Sequence, residues 1–354
     1  MFSFRTTPIS EQLDRTLRDG SVVCVCSDGS YDTLSGRYTH ELFGDRGNLR
    51  ALLRPSVRPG GTAAESHFAF DREVLKDADA IVIDVQNVGC RYFNYTVDIM
   101  SLLDMVRKME GAAPAVYVVD HLNPAGRAVE GSISDGEGLE FMPLTTHRHG
   151  LTLGELCFQY HGESGASFPL HIISALASDS THTMMPWTIP PAPDIPGLFT
   201  PMMYTGGALM AGTSVCPGIG TLRPYEFIGA PFIDNSAQVP CPDGVLMRPC
   251  SFIPSEGMYA RKECSGWQVI LSPGAEYHSL LHTLKLMRFF AGHYSQFSSG
   301  PIFYACLDDT VLEEYIRGEG SDSQMEEYVK VQEQKWIRKA KRFCLYDDSP
   351  VRIK

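Results

Sequence analysis

The chain has 354 residues, which is enough for about two domains of ~150 residues each. Hydrophobic residues make up 44% of it and charged residues 20%, the composition of a globular protein rather than of a disordered one. The formal net charge of −12 argues against nucleic acid as a partner, because nucleic-acid binding depends on lysine and arginine side chains that neutralise phosphates.

No apolar run approaches the about 20 residues that cross a bilayer, so we expect no association with a membrane. The N-terminal segment Met1–Gly20 is too polar for a signal peptide. We therefore expect a cytoplasmic protein, or a periplasmic one if a leader has been removed. The ten cysteines contain no C-x-x-C pair, so no zinc site is predicted, and most of them are expected to be reduced core residues.

The first half of the chain predicts a parallel sheet. In chain order, it predicts strands at Ser21–Cys26, Ala51–Leu53, Ala80–Val85 and Ala115–Val119, with helices at Tyr38–Phe43 and Val97–Met109. This order is typical of βαβ units, and strands that are apolar throughout fit a sheet covered on both faces. Gly111 is the expected C-cap of the second helix. No G-x-G-x-x-G follows the first strand and no P-loop motif occurs, so dinucleotide and P-loop nucleotide binding lack their usual phosphate cradle.

The rest of the chain has a different character. It predicts a helix at Leu151–Gln159, a strand at His171–Ala175, a loop-rich segment over Pro186–Pro240, a strand at Gln268–Leu271 and helices at Tyr277–Ala291, Thr310–Arg317 and Ser321–Arg342. The change from a parallel sheet to a mixed α+β pattern predicts two domains, 1–230 and 231–354, of which the second is the smaller. The oligomeric state is left open by the sequence.

Polar residues follow three of the predicted strands where each one ends. They are Ser27 with Asp28, Asp84 with Gln86, and Asp120 with Asn123. If the strands are parallel, these clusters meet at one edge of the sheet, where open α/β sheets bind ligands. Carboxylates and amides suit a polyol or an amino sugar, which needs many hydrogen bonds. The alternative is that each aspartate caps a loop or a following helix.

Three further groups have both a chemical and a structural interpretation. Glu130 stands in a loop bounded by glycine and is a candidate general acid, although a solvated glutamate fits the same spacing. His147 and His149 form an H-x-H pattern, for which a structural pair or a substrate contact by His149 is favoured over a metal site. Thr152 and Glu155 have the spacing of a capping box, which is favoured over catalysis by Glu155.

Several segments together resemble the NamZ-type exo-β-N-acetylmuramidases. Asp84–Tyr95 is similar to the pattern D-[IV]-Q-D-V-G-x-R-[FY]-[YF]-x-Y, Asp120–Gly131 to D-R-P-N-P-x-x-G-x-x-V-E-G-P, Arg148–Leu156 to R-H-G-M-T-[IV]-G-E-L, Ala192–Pro196 to S-P-N-M-P and Gly212–Ile233 to G-T-N-x-S-E-G-R-G-T-x-x-P-F-E-x-I-G-A-P-x-I. The C-terminal Trp336–Tyr346 is similar to the last helix and strand of the family. The resemblance implies a Rossmann-like domain followed by a smaller one.

The same resemblance implies a glycoside hydrolase that removes terminal N-acetylmuramic acid, or a related amino sugar, from peptidoglycan fragments in cell-wall recycling. The expected ligand is a small amino sugar or a muropeptide. Glu130 is then the expected general acid and Asp84 the second carboxylate that glycoside hydrolysis uses. The expected substrate-binding residues are Asp28, Gln86, Arg91, Tyr95, Asp120, Asn123, Arg148, His149, Asp194 and Thr213. No metal or cofactor is implied.

The chain departs from the family pattern at several acidic positions. Ser56 stands where the family has the glutamate of P-E-H-G, and Ala211 and Pro217 stand where it has two further glutamates. His121 replaces the arginine of D-R-P-N-P, and Ile219 replaces an arginine in the second glutamate-rich motif. These departures motivate an alternative hypothesis, in which the protein is an inactive relative that binds a muropeptide or a protein partner.

Overall fold

The computed structural model describes residues 8–55, 72–176 and 189–353. Among them, five strands form a parallel sheet: β1 (Val22–Cys26), β4 (Leu49–Leu53), β5 (Ala80–Asp84), β6 (Ala115–Asp120) and β9 (Leu170–Ser174). Their order across the sheet is β4-β1-β5-β6-β9. A short hairpin of β2 (Tyr31–Asp32) and β3 (Arg37–Tyr38) follows β1. The predicted fold class, a Rossmann-like parallel sheet accompanied by smaller α+β structure, is confirmed.

Helices cover both faces of this sheet. They are α1 (Ile9–Thr16) and α2 (Thr39–Arg46) on one face, and α3 (Asn94–Arg107) and α4 (Leu153–Ser164) on the other. Side chains alternate along each strand, so Cys24 packs in the core with α1 and α2, whereas Val23 and Val25 pack in the core with α3 and α4. This two-sided burial explains why the strands are apolar throughout.

The second half adds smaller sheets and five helices in the described residues. Its elements are α5 (Thr200–Met210), β10 (Phe227–Ala230), β11 (Val245–Phe252), β12 (Cys264–Leu271), α6 (Ser279–His293), α7 (Pro301–Leu307), α8 (Thr310–Ile316) and α9 (Asp322–Ala340). The three strands form an antiparallel sheet in the order β10-β12-β11. None of the helices in the described ranges is long and apolar enough to cross a membrane. The proposed domain boundary at residue 230 stays a prediction.

A third sheet ties the two halves of the chain together. The strands β7 (Ala128–Ile133) and β8 (Thr146–Arg148) pair antiparallel, and β13 (Val351–Arg352), near the C-terminus, adds to β7 in parallel. The indole Nε1 of Trp336 on α9 donates to the carbonyl of His149, 2.8 Å away. The last helix and the last strand are therefore hydrogen-bonded to the segment between β6 and α4.

Three of the local predictions are wrong. The loop-rich prediction for Pro186–Pro240 missed α5, because this helix is buried on nearly all sides and so shows no amphipathic period. Its two glycines allow close packing, since a Cβ on Gly206 would lie 2.3 Å from the carbonyl oxygen of Ser279. The second error concerns α3, which ends at Arg107 with Lys108 as its C-cap rather than at Gly111. The third concerns Glu130, which is neither in a loop nor solvated but lies buried in β7, where it pairs with Arg148 of β8.

The guanidinium of Arg91 joins the two halves in the interior. It is fully buried and donates to the carbonyl oxygens of Ser132 (2.9 Å), Thr145 (3.0 Å) and Leu307 (2.8 Å). A longer bond of 3.3 Å reaches the carbonyl of Cys306. Arginine suits this place because its fan of donors satisfies several carbonyl groups that water cannot reach.

Replacing Arg91 by methionine is expected to destabilise the fold by roughly 3 kcal/mol or more, because each buried carbonyl left without a donor costs about 1–3 kcal/mol. Urea unfolding followed by circular dichroism measures this change. The control is Arg317→Ala, which removes an exposed i,i+4 pair with Glu313 and is expected to cost no more than about 1 kcal/mol. Equal losses in the two variants would contradict the role given to Arg91.

Candidate functional site at the carboxyl edge of the sheet

The carboxyl ends of the five parallel strands lie along one edge of the sheet. If the five strands are numbered 1 to 5 along the chain, their order across the sheet is 2-1-3-4-5. The chain therefore passes from β1 to β4 on one side of β1 and then crosses to β5 on its other side. The crevice at such a switch point is the usual ligand site of an open α/β sheet. Asp84 ends β5 beside Cys26 at the end of β1, and Asp28 follows β1 two residues later. The structure therefore brings two of the predicted site residues to the expected place.

Asp84 is buried and forms a carboxylate–imidazole pair with His121. Its Oδ1 lies 2.5 Å from His121 Nε2, and its Oδ2 accepts a hydrogen bond from the Thr39 hydroxyl at the start of α2. The His121 side chain is partly exposed, whereas that of Asp84 has no exposed surface. Of this pair, the imidazole is thus the part that solvent and a ligand can reach.

Three more side chains lie around this crevice. Asp28 is exposed, and its Oδ1 is 3.4 Å from Nη1 of Arg54, which follows β4. Gln86 donates its amide to the carbonyl of Leu122 at 2.7 Å, which holds the loop after β5 against the loop after β6. A Cβ on Gly29 would lie 3.5 Å from the Gln86 side chain, so the loop after β1 also lies close to the loop after β5. The crevice thus presents charged and amide groups rather than an apolar wall.

Asp194 lies in the loop before α5, beside a groove of about 440 Å³. Its Oδ2 accepts a hydrogen bond of 2.7 Å from the Tyr225 hydroxyl. Burial raises the pKa of Asp194, and the tyrosine hydrogen bond offsets only part of that rise. The Tyr95 hydroxyl donates to the carbonyl of Pro191 at 2.9 Å and thereby fixes this loop over α3.

Glu130 has surroundings that differ from those a general acid needs. Its carboxylate is fully buried and accepts hydrogen bonds from Arg148 Nη1 (2.8 Å), the Ser279 hydroxyl (2.9 Å) and the Leu280 amide (2.8 Å). Burial alone would raise its pKa, but His278, Arg148 and the Leu280 amide together lower it to about 2. Since a general acid must carry a proton, this geometry supports a structural role, and catalysis by Glu130 stays a prediction.

The cluster around Glu130 continues through His278. Nδ1 of His278 lies 3.4 Å from Glu130 Oε2, and its Nε2 lies 2.7 Å from Glu333 Oε1. Burial would lower the pKa of His278, but the two carboxylates raise it to about 9. Glu333 also pairs with Arg352 at 3.0 Å. The imidazolium therefore links β7, the start of α6 and the last helix.

Most of the other predicted binding residues are committed to internal hydrogen bonds. Arg91 bonds the four carbonyls described above, Arg148 pairs with Glu130, and Asp120 accepts hydrogen bonds from Thr152, Gly154 and Tyr346. Asn123 donates to the Leu151 carbonyl and accepts from the Ala125 amide, and His149 accepts from the Leu151 amide. Thr213 donates to the Met210 carbonyl and accepts from the Val215 amide. These side chains are buried or nearly so. They shape the loops of the cleft, and their contact with a substrate stays a prediction.

The structural interpretations of two other motifs can be compared with the structure. The capping box is confirmed, because Thr152 Oγ1 accepts from the Glu155 amide and Glu155 accepts from the Thr152 amide. Burial lowers the pKa of His149 to about 3, so this imidazole is neutral. No cluster of potential metal ligands occurs within residues 8–55, 72–176 and 189–353. The position of Ser56 lies outside the described residues.

Three groups of this site were not predicted from the sequence. His121, Arg54 and Tyr225 come to the cleft through contacts with Asp84, Asp28 and Asp194. The signal for His121 was present, because this residue replaces an arginine in a motif that otherwise fits the family. Tyr225 carries no such signal, since its partner is 31 residues earlier in the chain.

Comparisons with known proteins agree with this architecture. The sequence model of the N-terminal part of the exo-β-N-acetylmuramidase NamZ matches residues 65–198, and the model of its C-terminal part matches residues 202–346. The chain belongs to the NamZ family. The family resemblance predicted from the motifs is thereby confirmed.

One curated relative is the peptidoglycan β-N-acetylmuramidase NamZ of Bacillus subtilis strain 168. It is 28% identical over 231 residues, which are 61% of this chain and 54% of the relative. The match thus spans about half the length of that NamZ protein. Crystal structures of two DUF1343 family proteins from Bacteroides fragilis share the fold, with TM-scores of 0.74 and 0.76 at 18% and 19% identity. The alignments cover 96% and 97% of this chain, and 97% and 99% of theirs.

The stability of this NamZ-family protein is expected to fall as the pH rises from about 6.5 to about 9. His278 holds its proton in the folded state up to about pH 9, whereas an unfolded histidine loses it near 6.5. The stabilisation is therefore complete below about 6.5 and is lost as the pH passes about 9, with a slope on the order of 1 kcal/mol per pH unit.

Urea unfolding of wild type and of His278→Gln at several pH values measures this effect. The variant is expected to be less stable at pH 6.5 and to have a much flatter dependence on pH. His171→Gln, on an exposed position of β9, is the matched control and should keep the wild-type slope. A variant with the same slope as wild type would show that another group carries the pH dependence.

Proposed function

We propose that this protein is a glycoside hydrolase that removes N-acetylmuramic acid, or a related amino sugar, from the ends of peptidoglycan fragments. The proposal rests on its membership of the NamZ family and on the activity for which the Bacillus subtilis relative is named. The structural observation that supports it is the Asp84–His121 pair at the switch point of the sheet. A muropeptide or a free amino-sugar conjugate is the ligand class, and the cytoplasm is the proposed location.

In this proposal Asp84 acts as the second carboxylate through His121. The partly exposed imidazole takes a proton from the water that attacks the anomeric carbon, and the buried carboxylate orients the ring and stabilises its positive charge. Thr39 fixes the other carboxylate oxygen, so the pair has a defined direction. Asp28, Arg54 and Gln86 provide the polar contacts that a sugar with many hydroxyl groups requires.

We expect the wild-type protein to release nitrophenolate from 4-nitrophenyl β-N-acetylmuramide, measured by absorbance. Asp84→Asn and His121→Asn are each expected to lower kcat/KM by about 100-fold or more, because general acid–base groups contribute factors of about 10²–10⁴. Asp243→Asn, an exposed turn residue before β11, is the matched control and is expected to keep wild-type activity.

Thermal unfolding of the variants separates loss of activity from loss of the fold. His121 is partly exposed, so its replacement is expected to leave the melting temperature close to that of wild type. Full activity in both folded variants would contradict the role of the pair. A wild type that binds the sugar in calorimetry but releases no nitrophenolate would instead favour the inactive relative.

A further inference from the structure

The loop that carries Asp194 borders the crevice, because a Cβ on Gly29, which follows β1, would lie 3.8 Å from the Cα of Pro191. At Asp194 the chain has a carboxyl group where the family pattern has none. Asp194 occupies the asparagine position of the S-P-N-M-P pattern, in the segment Ala192–Pro196. At the same time, Ser56, Ala211 and Pro217 stand at positions where other motifs of the family have glutamates. The chain has therefore lost acidic groups at several family positions, whereas position 194 has gained one.

The groove beside Asp194 has the size and lining of a sugar site. Its volume of about 440 Å³ lies within the range of small-ligand pockets, about 300–1,000 Å³. Thr221, Ser255 and Glu256 supply hydroxyl and carboxylate groups, while Leu222 and Ile253 supply exposed apolar surface. Hydroxyl groups beside apolar patches match the two kinds of surface that a pyranose ring presents.

Asp194 is held in one position by a constrained neighbour. The Tyr225 hydroxyl donates to its Oδ2, and the Tyr225 ring packs edge-on against Tyr204 with centroids 4.9 Å apart. Tyr225 has a φ of +65°, a left-handed conformation that is unusual for a bulky residue. Its amide donates to the carbonyl of Pro217, which holds this strained backbone in place. Strained residues of this kind concentrate at functional sites.

The charges around Asp194 favour a neutral carboxylic acid. The titratable groups that face it are the hydroxyls of Tyr225, Tyr95 and Tyr204 and the carboxylate of Glu256. Among the described residues that line the groove there is no lysine or arginine. Partial burial without a cation is the condition under which a carboxyl group keeps its proton toward neutral pH.

We propose that Asp194 is the general acid of this cleft and protonates the glycosidic oxygen of the bound amino sugar. This inference rests on the proposed function and names one of its catalytic residues. The bond from the anomeric carbon to the leaving oxygen breaks, its electron pair stays with that oxygen, and the oxygen takes the proton of Asp194. Water adds to the anomeric carbon and gives its proton to His121, so the sugar hydroxyl and the leaving alcohol are the two products.

A comparison of leaving groups tests this role. Asp194→Asn keeps the size and the hydrogen bond but cannot donate a carboxyl proton. We expect it to lower kcat/KM for the disaccharide N-acetylmuramyl-N-acetylglucosamine by about 10²–10⁴-fold, the usual contribution of a general acid. Hydrolysis of 2,4-dinitrophenyl β-N-acetylmuramide is expected to fall by less than about tenfold, because dinitrophenolate leaves without protonation. Asp243→Asn is the control and is expected to change neither rate.

A second variant tests the same residue through its pKa. The Tyr225 hydroxyl lowers the pKa of Asp194, so Tyr225→Phe is expected to move the alkaline limb of the kcat/KM profile for the disaccharide to higher pH. An unchanged limb, or equal losses on the two substrates in Asp194→Asn, would overturn the role of Asp194 while leaving the proposed function in place. A wild type that hydrolyses neither substrate would overturn both.

Discussion

The buried carboxylate of Glu130 lies where β7, β8 and the start of α6 meet, and the rest of the structure depends on its neutralisation. Its oxygens accept hydrogen bonds from Arg148, the Ser279 hydroxyl and the Leu280 amide. His278 lies between Glu130 and Glu333 and pairs with both carboxylates. Removing one partner of a buried ion pair costs about 3–5 kcal/mol, so the complete network stabilises the packing of the two halves of the chain. Arg148 also donates to the carbonyl of Ala125, so the network reaches the loop that follows β6.

The residues of the long family motifs fall into two groups, according to whether they are buried or lie at the crevice. One part consists of buried groups that satisfy the backbone of loops next to the sheet, as Arg91 does for the carbonyls of Ser132, Thr145 and Leu307. Loops that pass through the interior have no water to bond, so such groups are as necessary for folding as the apolar core. The other part lies at the crevice, where His121 stands in place of the arginine of the family pattern. Replacement of a cleft residue changes chemistry, whereas replacement of a buried one endangers the fold.

This division explains how much of the candidate site was predictable. The switch-point crevice, with Asp84 and Asp28 beside it, follows from apolar strands and the polar residues that end them, because a parallel arrangement brings those ends to one edge. The environment of Glu130 was not predictable, since its partners Ser279 and Leu280 are 149 and 150 residues away in the chain. A sequence motif identifies a carboxyl group, but it does not show which charged groups surround that carboxyl group and set its protonation state.

The sequence by itself determined the family, the fold class and the strands of the parallel sheet, because these depend on local patterns of apolar residues and on motifs contiguous in the chain. The buried helix α5 could not be predicted in this way, since a helix that is apolar all round has no period to detect. Only the tertiary structure decided which polar residues reach the cleft. His121 lies at the crevice and Asp194 at a groove of its own, whereas Glu130 is enclosed, because exposure and charge neutralisation depend on contacts between segments far apart in the chain.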